Sequence, residues 1–242
     1  MIKVFTHTST MIPARLLAVE LTALGRRTEA VANPLHIMSD DTVINYGAVI
    51  RTNAINSPQF IGVCGNKLNF SHVLGENGFN TPEYKGTNVI PTSYPVVVRS
   101  TLHGQGGEGI SFANNLLEFN RLMRPGYYWT KFYNCSFELR AHIMGGEVKR
   151  IFKKVKEEED NFPIRNSQHD YHYSLRDINN YPKVLQIVEQ LSEIFGIDNF
   201  YALDLGYEDS TKSYVIYEAN SAPGLNSNTA KLYANYLFKR LH

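Results

Sequence analysis

The sequence predicts an α+β chain, in which a small α/β layer opens onto a larger body of antiparallel strands and helices. Three observations carry that expectation. Residues 2–50 run strand, helix, strand. Residues 127–155 offer three strand candidates in a row, the last two joined by Gly145-Gly146. Residues 201–219 offer two more across a polar turn. The 242 residues are 43% apolar, enough for a substantial core, and 24 basic against 23 acidic side chains leave a net charge of +1. That balance argues against a nucleic-acid coat, although a local basic patch stays open. Cys64 and Cys135 supply neither a disulfide scaffold nor a four-thiolate zinc site. No apolar run reaches the ~20 residues that span a bilayer. The opening MIKVFTHTST lacks the apolar core of a signal peptide, so the expected setting is the cytoplasm.

Taken in order, residues 2–5 (IKVF) read as a short buried strand. A helix follows over 11–24, with Pro13 in its first turn, Leu17, Leu21 and Leu24 on one face, and Gly25 as its stop. Residues 42–50 are strand-like. No Pro/Gly/Ser linker follows, so a division near residue 65 is soft. Residues 68–76 suit a short helix ending near Gly78, ahead of Thr81-Pro82. Residues 95–99 (PVVVR) form a strand that runs into the glycine-rich HGQGGEG. Helical spacing at 114–123 precedes strands at 127–133, 136–144 and 147–155. The run KKVKEEED and the tyrosine- and histidine-rich stretch to about 178 suggest a solvated loop. Pro182 opens an amphipathic helix over 182–195, with Val184, Ile187, Val188, Leu191 and Phe195 as its stripe and Gly196 as its stop. Strands 201–207 and 213–219 and a helix over 228–241 complete the chain.

Near the end of that last hairpin, Glu218 and Asn220 lie two apart and so share a sheet face. Asp204 sits on the partner strand between two leucines. Three oxygen donors on one face suit a hard cation that also binds phosphate, since magnesium is held by one or two carboxylates plus substrate oxygens. The plainer reading makes Asp204 and Glu218 surface members of alternating strands. Upstream, Arg99 ends an apolar strand ahead of Gly104, Gly106, Gly107 and Gly109, whose backbone could approach phosphate oxygens, or simply form a hairpin tip. Glu138 and Arg140 are also two apart, which allows a cross-strand ion pair. Among the cations of 149–156, a solvated edge explains most, with room for one that points inward. His169 and His172, in a polar stretch, are a weak zinc signal.

Read together, these segments resemble the ATP-grasp superfamily of carboxylate–amine ligases. They are most similar to its ribosomal-protein glutamate ligase branch and more distantly similar to the D-alanine–D-alanine ligases. NKLNFSHVLGENGFNTPE (66–83) resembles the family's lysine-led helix. YPVVVRSTLHGQGGEGI (94–110) resembles its strand and phosphate loop. FELRAHIMGGEVKRIFKK (137–154) resembles its acidic-x-Arg strand and following basic strand. ALDLGYEDSTKSYVIYEANSAPGL (202–225), the most specific match, resembles its Asp … Glu-x-Asn metal hairpin. The likeness covers about 66–237. It implies a shortened α/β domain over 1–65 and an ATP-grasp domain over 66–242, split into a lid-bearing part (66–133) and a metal and substrate part (134–242).

The resemblance implies roles for these residues. Lys67 and Arg99 would contact ATP, with Arg99 where the family usually has lysine, and Gly104, Gly106, Gly107 and Gly109 would cover its phosphates. Thr130, Lys131, Phe132 and Tyr133 would form the adenine-reading hinge, and Glu138 would sit by the ribose. Arg140 and Lys154 would act on the acyl phosphate, and Arg140 and Asn166 would face substrate. Asp204, Glu218 and Asn220 would hold two magnesium or manganese ions. The implied reaction joins a small-molecule, peptide or protein carboxylate to an amine through an acyl phosphate. A kinase that stops at phosphoryl transfer and a nucleotide-binding module without ligase activity are the rivals. A membrane role is not expected, and a homo-oligomer is left open.

Overall fold

The structure, a computed structural model, describes residues 1–50, 54–101, 108–156 and 170–241. The opening layer is a parallel three-stranded sheet in the order β2–β1–β3, made of β1 (Ile2–Thr6), β2 (Thr28–Val31) and β3 (Thr42–Tyr46). Helix α1 (Met11–Ala23) connects the first two strands and ends before Gly25, whose φ of 90° only glycine adopts freely. The expected strand over 42–50 stops at Tyr46. Gly47 has a φ of 72° and lies so close to Ala222 that no Cβ fits there.

Two short helices follow, α2 (Pro58–Cys64) and α3 (Lys67–Glu76). Asn66 caps α3, its side chain accepting from the backbone of Leu68 at 2.9 Å and Asn69 at 3.2 Å. A second sheet, ordered β5–β4–β6, is antiparallel. It comprises β4 (Val96–Arg99), β5 (Ile110–Ala113) and β6 (Tyr128–Lys131), with α4 (Leu116–Leu122) laid against it. Val96, Val98, Ala113, Phe119 and Trp129 form its own core.

The third sheet carries the body. β7 (Phe137–Met144), β8 (Glu147–Val155), β9 (His172–Arg176), β10 (Phe200–Glu208) and β11 (Ser213–Asn220) are antiparallel in the order β11–β10–β7–β8–β9. β9 corrects the expectation of a solvated loop to residue 178: residues 172–176 pair with β8, Tyr173 standing opposite Lys154. Helices α5 (Pro182–Phe195) and α6 (Ser227–Arg240) complete the body.

Strand parity divides this sheet into two faces. Leu139, Ala141, Ile143, Leu203 and Leu205 face Val184, Val188 and Leu191 of α5 and Phe70 and Leu74 of α3. On the other face, Met144 and Phe200 join Leu17 and Leu21 of α1 and Tyr233, Ala234 and Leu237 of α6 in one core. The opening layer is therefore packed into the body on one side, and the Tyr46 hydroxyl donates to the carbonyl of Pro223. That second face is covered at the Met144 end and carries charges at the Glu138 end. No helix among the described residues is long and apolar enough to cross a membrane.

Candidate functional site

The charges of the uncovered face come from four neighbouring strands and one helix start. Register places Asp204 of β10 between Arg140 of β7 and Glu218 of β11. The Arg140 guanidinium grips Asp204 with a fork, Nε to Oδ1 at 2.7 Å and a terminal nitrogen to Oδ2 at 2.6 Å. Lys154 of β8 donates to Glu138 at 2.8 Å and lies 4.0 Å from Asp204. Lys67, the first residue of α3, reaches Glu218 at 2.7 Å. Three cations thus interleave with three carboxylates, and the cluster is neutral as a whole.

Burial and pairing act in opposite directions on these groups. Burial raises the Asp204 carboxyl, but Arg140 and Lys154 outweigh it and hold the pKa down at about 2. Burial disfavours charge on Arg140 and Lys154, yet Asp204 raises both, with Glu138 adding to the effect on Lys154. All three stay charged across the physiological range. Beneath them His142 is neutral, pushed down to about 3 by burial and then by Arg140. Its Nδ1 lies 2.9 Å from the Tyr233 hydroxyl.

The expected metal donors do come together. Asp204 and Glu218 are direct cross-strand partners, and Asn220 follows two residues on, opposite Ala202. Its Oδ1 accepts from the Ala222 backbone at 2.9 Å. Among the described residues no three His, Cys, Asp or Glu side chains gather, so the donor set is two carboxylates and an amide. An ionised carboxylate offers about four lone-pair sites, and the Arg140 fork uses two of those on Asp204. The donors therefore fit a hard cation that takes its other ligands from phosphate oxygens.

The remaining expected residues fall around this face. Arg99 ends β4, opposite Ile110 and Tyr128, and its Nε is buried with no hydrogen-bond partner among the described residues. The Tyr84 phenol, its pKa raised by burial, feels both Arg99 and Glu218. Thr130 is buried in β6 opposite Val97, and Lys131 lies over the Tyr133 ring at 5.2 Å. Phe132 meets Phe112 edge-on, and Tyr133 donates to the Thr81 carbonyl at 3.3 Å. These four residues connect the second sheet to the third. Gly109 turns with a φ of 69° against Ser100. Gly104, Gly106, Gly107, Asn166 and His169 lie outside the described residues.

The cross-strand ion pairs that the sequence allows do form, but withdrawn from solvent: Arg140 pairs with Asp204, because β10 lies beside β7, and Glu138 pairs with Lys154 of β8. Tyr173 was missed with its strand: its ring lies 5.0 Å from the Arg140 guanidinium and walls the cluster on the β9 side. The alternation His-Tyr-Ser-Leu-Arg was its one sequence signal.

No protein-family model matches this chain, and no curated protein matches it by sequence. Solved structures do. The ATP-grasp ligase PsnB, complexed with minimal precursor, Mg and ADP, superposes with a TM-score of 0.69 at 10% identity, over 100% of this chain and 97% of that one. A Chryseobacterium gregarium RiPP-associated ATP-grasp ligase, in complex with ADP and a leader and core peptide, gives 0.69 at 13% identity, over 99% and 96%. N5-carboxyaminoimidazole ribonucleotide synthetase from Thermotoga maritima gives 0.67 at 12%, over 98% of this chain and 75% of that one. Likeness across the whole chain at such low identity establishes the fold, which is ATP-grasp.

Proposed function

We propose, from the ATP-grasp fold of this chain, that it is an ATP-dependent ligase joining a carboxylate to an amine through an acyl phosphate. The observation that carries the reading is the neutral cluster of Lys67, Glu138, Arg140, Lys154, Asp204 and Glu218 at the Glu138 end of the third sheet's second face, beyond the part that α1 and α6 cover. A peptide or protein carboxylate is the substrate class we favour. The ligases complexed with a minimal precursor and with a leader and core peptide match over nearly the full length of both chains, whereas the ribonucleotide synthetase extends beyond the match.

Asp204, Glu218 and Asn220 would hold two magnesium ions, which supply charge neutralisation for the triphosphate when bound. Lys67 and Arg99 contact the nucleotide, and the Arg99 Nε gains there a partner that none of the described residues supplies. The hinge at Thr130–Tyr133 receives the adenine, and Glu138 the ribose. A free carboxylate is a poor acyl donor, because oxide is a poor leaving group. One of its oxygens attacks the γ-phosphorus, ADP leaves, and the mixed anhydride forms. Arg140 and Lys154 offset the charge on the transferring group. They are already buried and oriented, so little reorganisation is needed as that charge develops. The amine then attacks the acyl carbon, Arg140 stabilises the oxyanion, and phosphate departs with the C–N bond made.

Hydroxylamine separates this reading from a kinase, because it captures an acyl phosphate as a hydroxamate and leaves a phosphoester alone. With ATP, magnesium and a panel of Asp- and Glu-rich peptides, the chain should give hydroxamates detectable by mass, with ADP released. Arg140→Ala should lower that flux by on the order of a hundredfold while shifting the Kd of a fluorescent ATP analogue only a few-fold. In the same binding assay, Glu218→Gln should abolish the magnesium dependence of nucleotide affinity. A stable phosphopeptide without hydroxamate would establish the kinase, and unchanged magnesium dependence in Glu218→Gln would remove the metal assignment.

A further inference from the structure

Helix α1 has two apolar faces, and the fold covers one of them. Ala14, Leu17, Ala18 and Leu21 are buried in the core shared with α6. On the opposite side stand Ile12, Leu16, Val19 and Ala23, with the alternating four- and three-residue steps of a coiled-coil seam. Ile12 is 75% exposed and Val19 63%, Ala23 is exposed, and Leu16 between them is partly so. A helix that is apolar on both sides suits a position with a neighbour on each. The described residues supply only one.

We propose that this seam packs against the same seam of a second copy of the chain, with the two α1 helices parallel. The flanking charges select both the occupant and the direction. Arg15 borders the seam on one side and Glu20 on the other, at the offset where edge residues meet across a parallel pair. Twofold symmetry about an axis along the helices brings Arg15 against the partner's Glu20, and Glu20 against the partner's Arg15. An antiparallel pair would place like edges together, Arg15 by the partner's Arg15 and Glu20 by the partner's Glu20. Among the described residues neither side chain has an ion-pair partner of its own. Each is free to pair between copies.

The contact is small. A stable specific interface buries about 1,200–2,000 Å² in total, more than the exposed side of a helix of this length supplies, so the association should depend on concentration. It shares no residue with the charged cluster and does not depend on the ligase reading.

Sedimentation equilibrium of the full chain over a wide concentration range tests the proposal. The mass should rise from 27.5 kDa toward twice that value. Val19→Glu should hold it at one chain, with an unchanged circular dichroism spectrum because the side chain is already exposed. Arg15→Glu and Glu20→Arg should each weaken the dimer, by on the order of tenfold over its two symmetric pairs, and the double exchange should restore it. A mass fixed at one chain at the highest attainable concentration would overturn the proposal, as would a dimer that survives Val19→Glu. A double exchange no tighter than its single parents would overturn the parallel register.

Discussion

Arg140 and Asp204 form a hydrogen-bonded ion pair largely withdrawn from water, and such a pair is a weak source of net stability. Its use lies in position: the fork fixes the guanidinium where charge is to develop, and Tyr173 limits its movement on the third side. His142 beneath the pair has a measurable consequence. Its folded pKa of about 3 lies below the ordinary value of 6.5, so the unfolded chain binds the proton more readily. The neutral imidazole therefore contributes stability that is fully present above pH 6.5 and is lost as pH falls toward 3. Urea unfolding should show the protein losing about 2 kcal/mol between pH 6.5 and pH 5 from this group alone, at roughly 1.4 kcal/mol per pH unit. His142→Gln, which does not titrate, should flatten that slope. An equal slope in both proteins would mean that the ring protonates in the folded state.

At the scale of elements, the β7–β8 hairpin depends on its turn. Gly145 and Gly146 have φ of 66° and 75°, and a Cβ on Gly146 would press on Ile197 and Ser192. Gly146→Ala should cost about 1–2 kcal/mol from backbone strain, with crowding added, seen as a lower midpoint in thermal unfolding. Gly78→Ala, at a φ of 78° but in open space, should cost less. The α5 stripe and the β10–β11 hairpin were legible because each signal repeats over enough residues to set a period. The Gly145-Gly146 turn was legible because paired glycines suit a tight hairpin by their chemistry. β2 with four residues, β5 with four and α2 with seven are too short to show one. β9 is an edge strand whose side chains are largely exposed, so its composition looked like a loop. The donors Asp204, Glu218 and Asn220 were legible from strand parity. The Arg140–Asp204 fork was not, because adjacency of β10 and β7 is set by sheet order, which no local stretch encodes.

At the scale of the molecule, two of the apolar clusters differ in what they join. The one around Trp129 belongs to the second sheet alone, while the one around Leu17 ties the opening layer to α6 and the third sheet. Leu17→Ala should cost about 2–5 kcal/mol through the cavity it leaves. Unfolding followed by far-ultraviolet circular dichroism should move by that amount. Fluorescence of Trp129, the single tryptophan, should move less, because its sheet has a core of its own. Equal shifts would show that the clusters melt as one unit. The shared Leu17 core also has a consequence for synthesis. A ribosome releases α1 long before α6, and Leu17 and Leu21 are complete only when Tyr233, Ala234 and Leu237 arrive to meet them. Throughout that interval the nascent chain carries an uncovered apolar helix face, and β7 waits in the same way for β10. Chaperones that bind short apolar segments have their longest opportunity here. A premature stop anywhere before α6 should yield not a smaller working protein but a chain whose earliest helix never finds its cover.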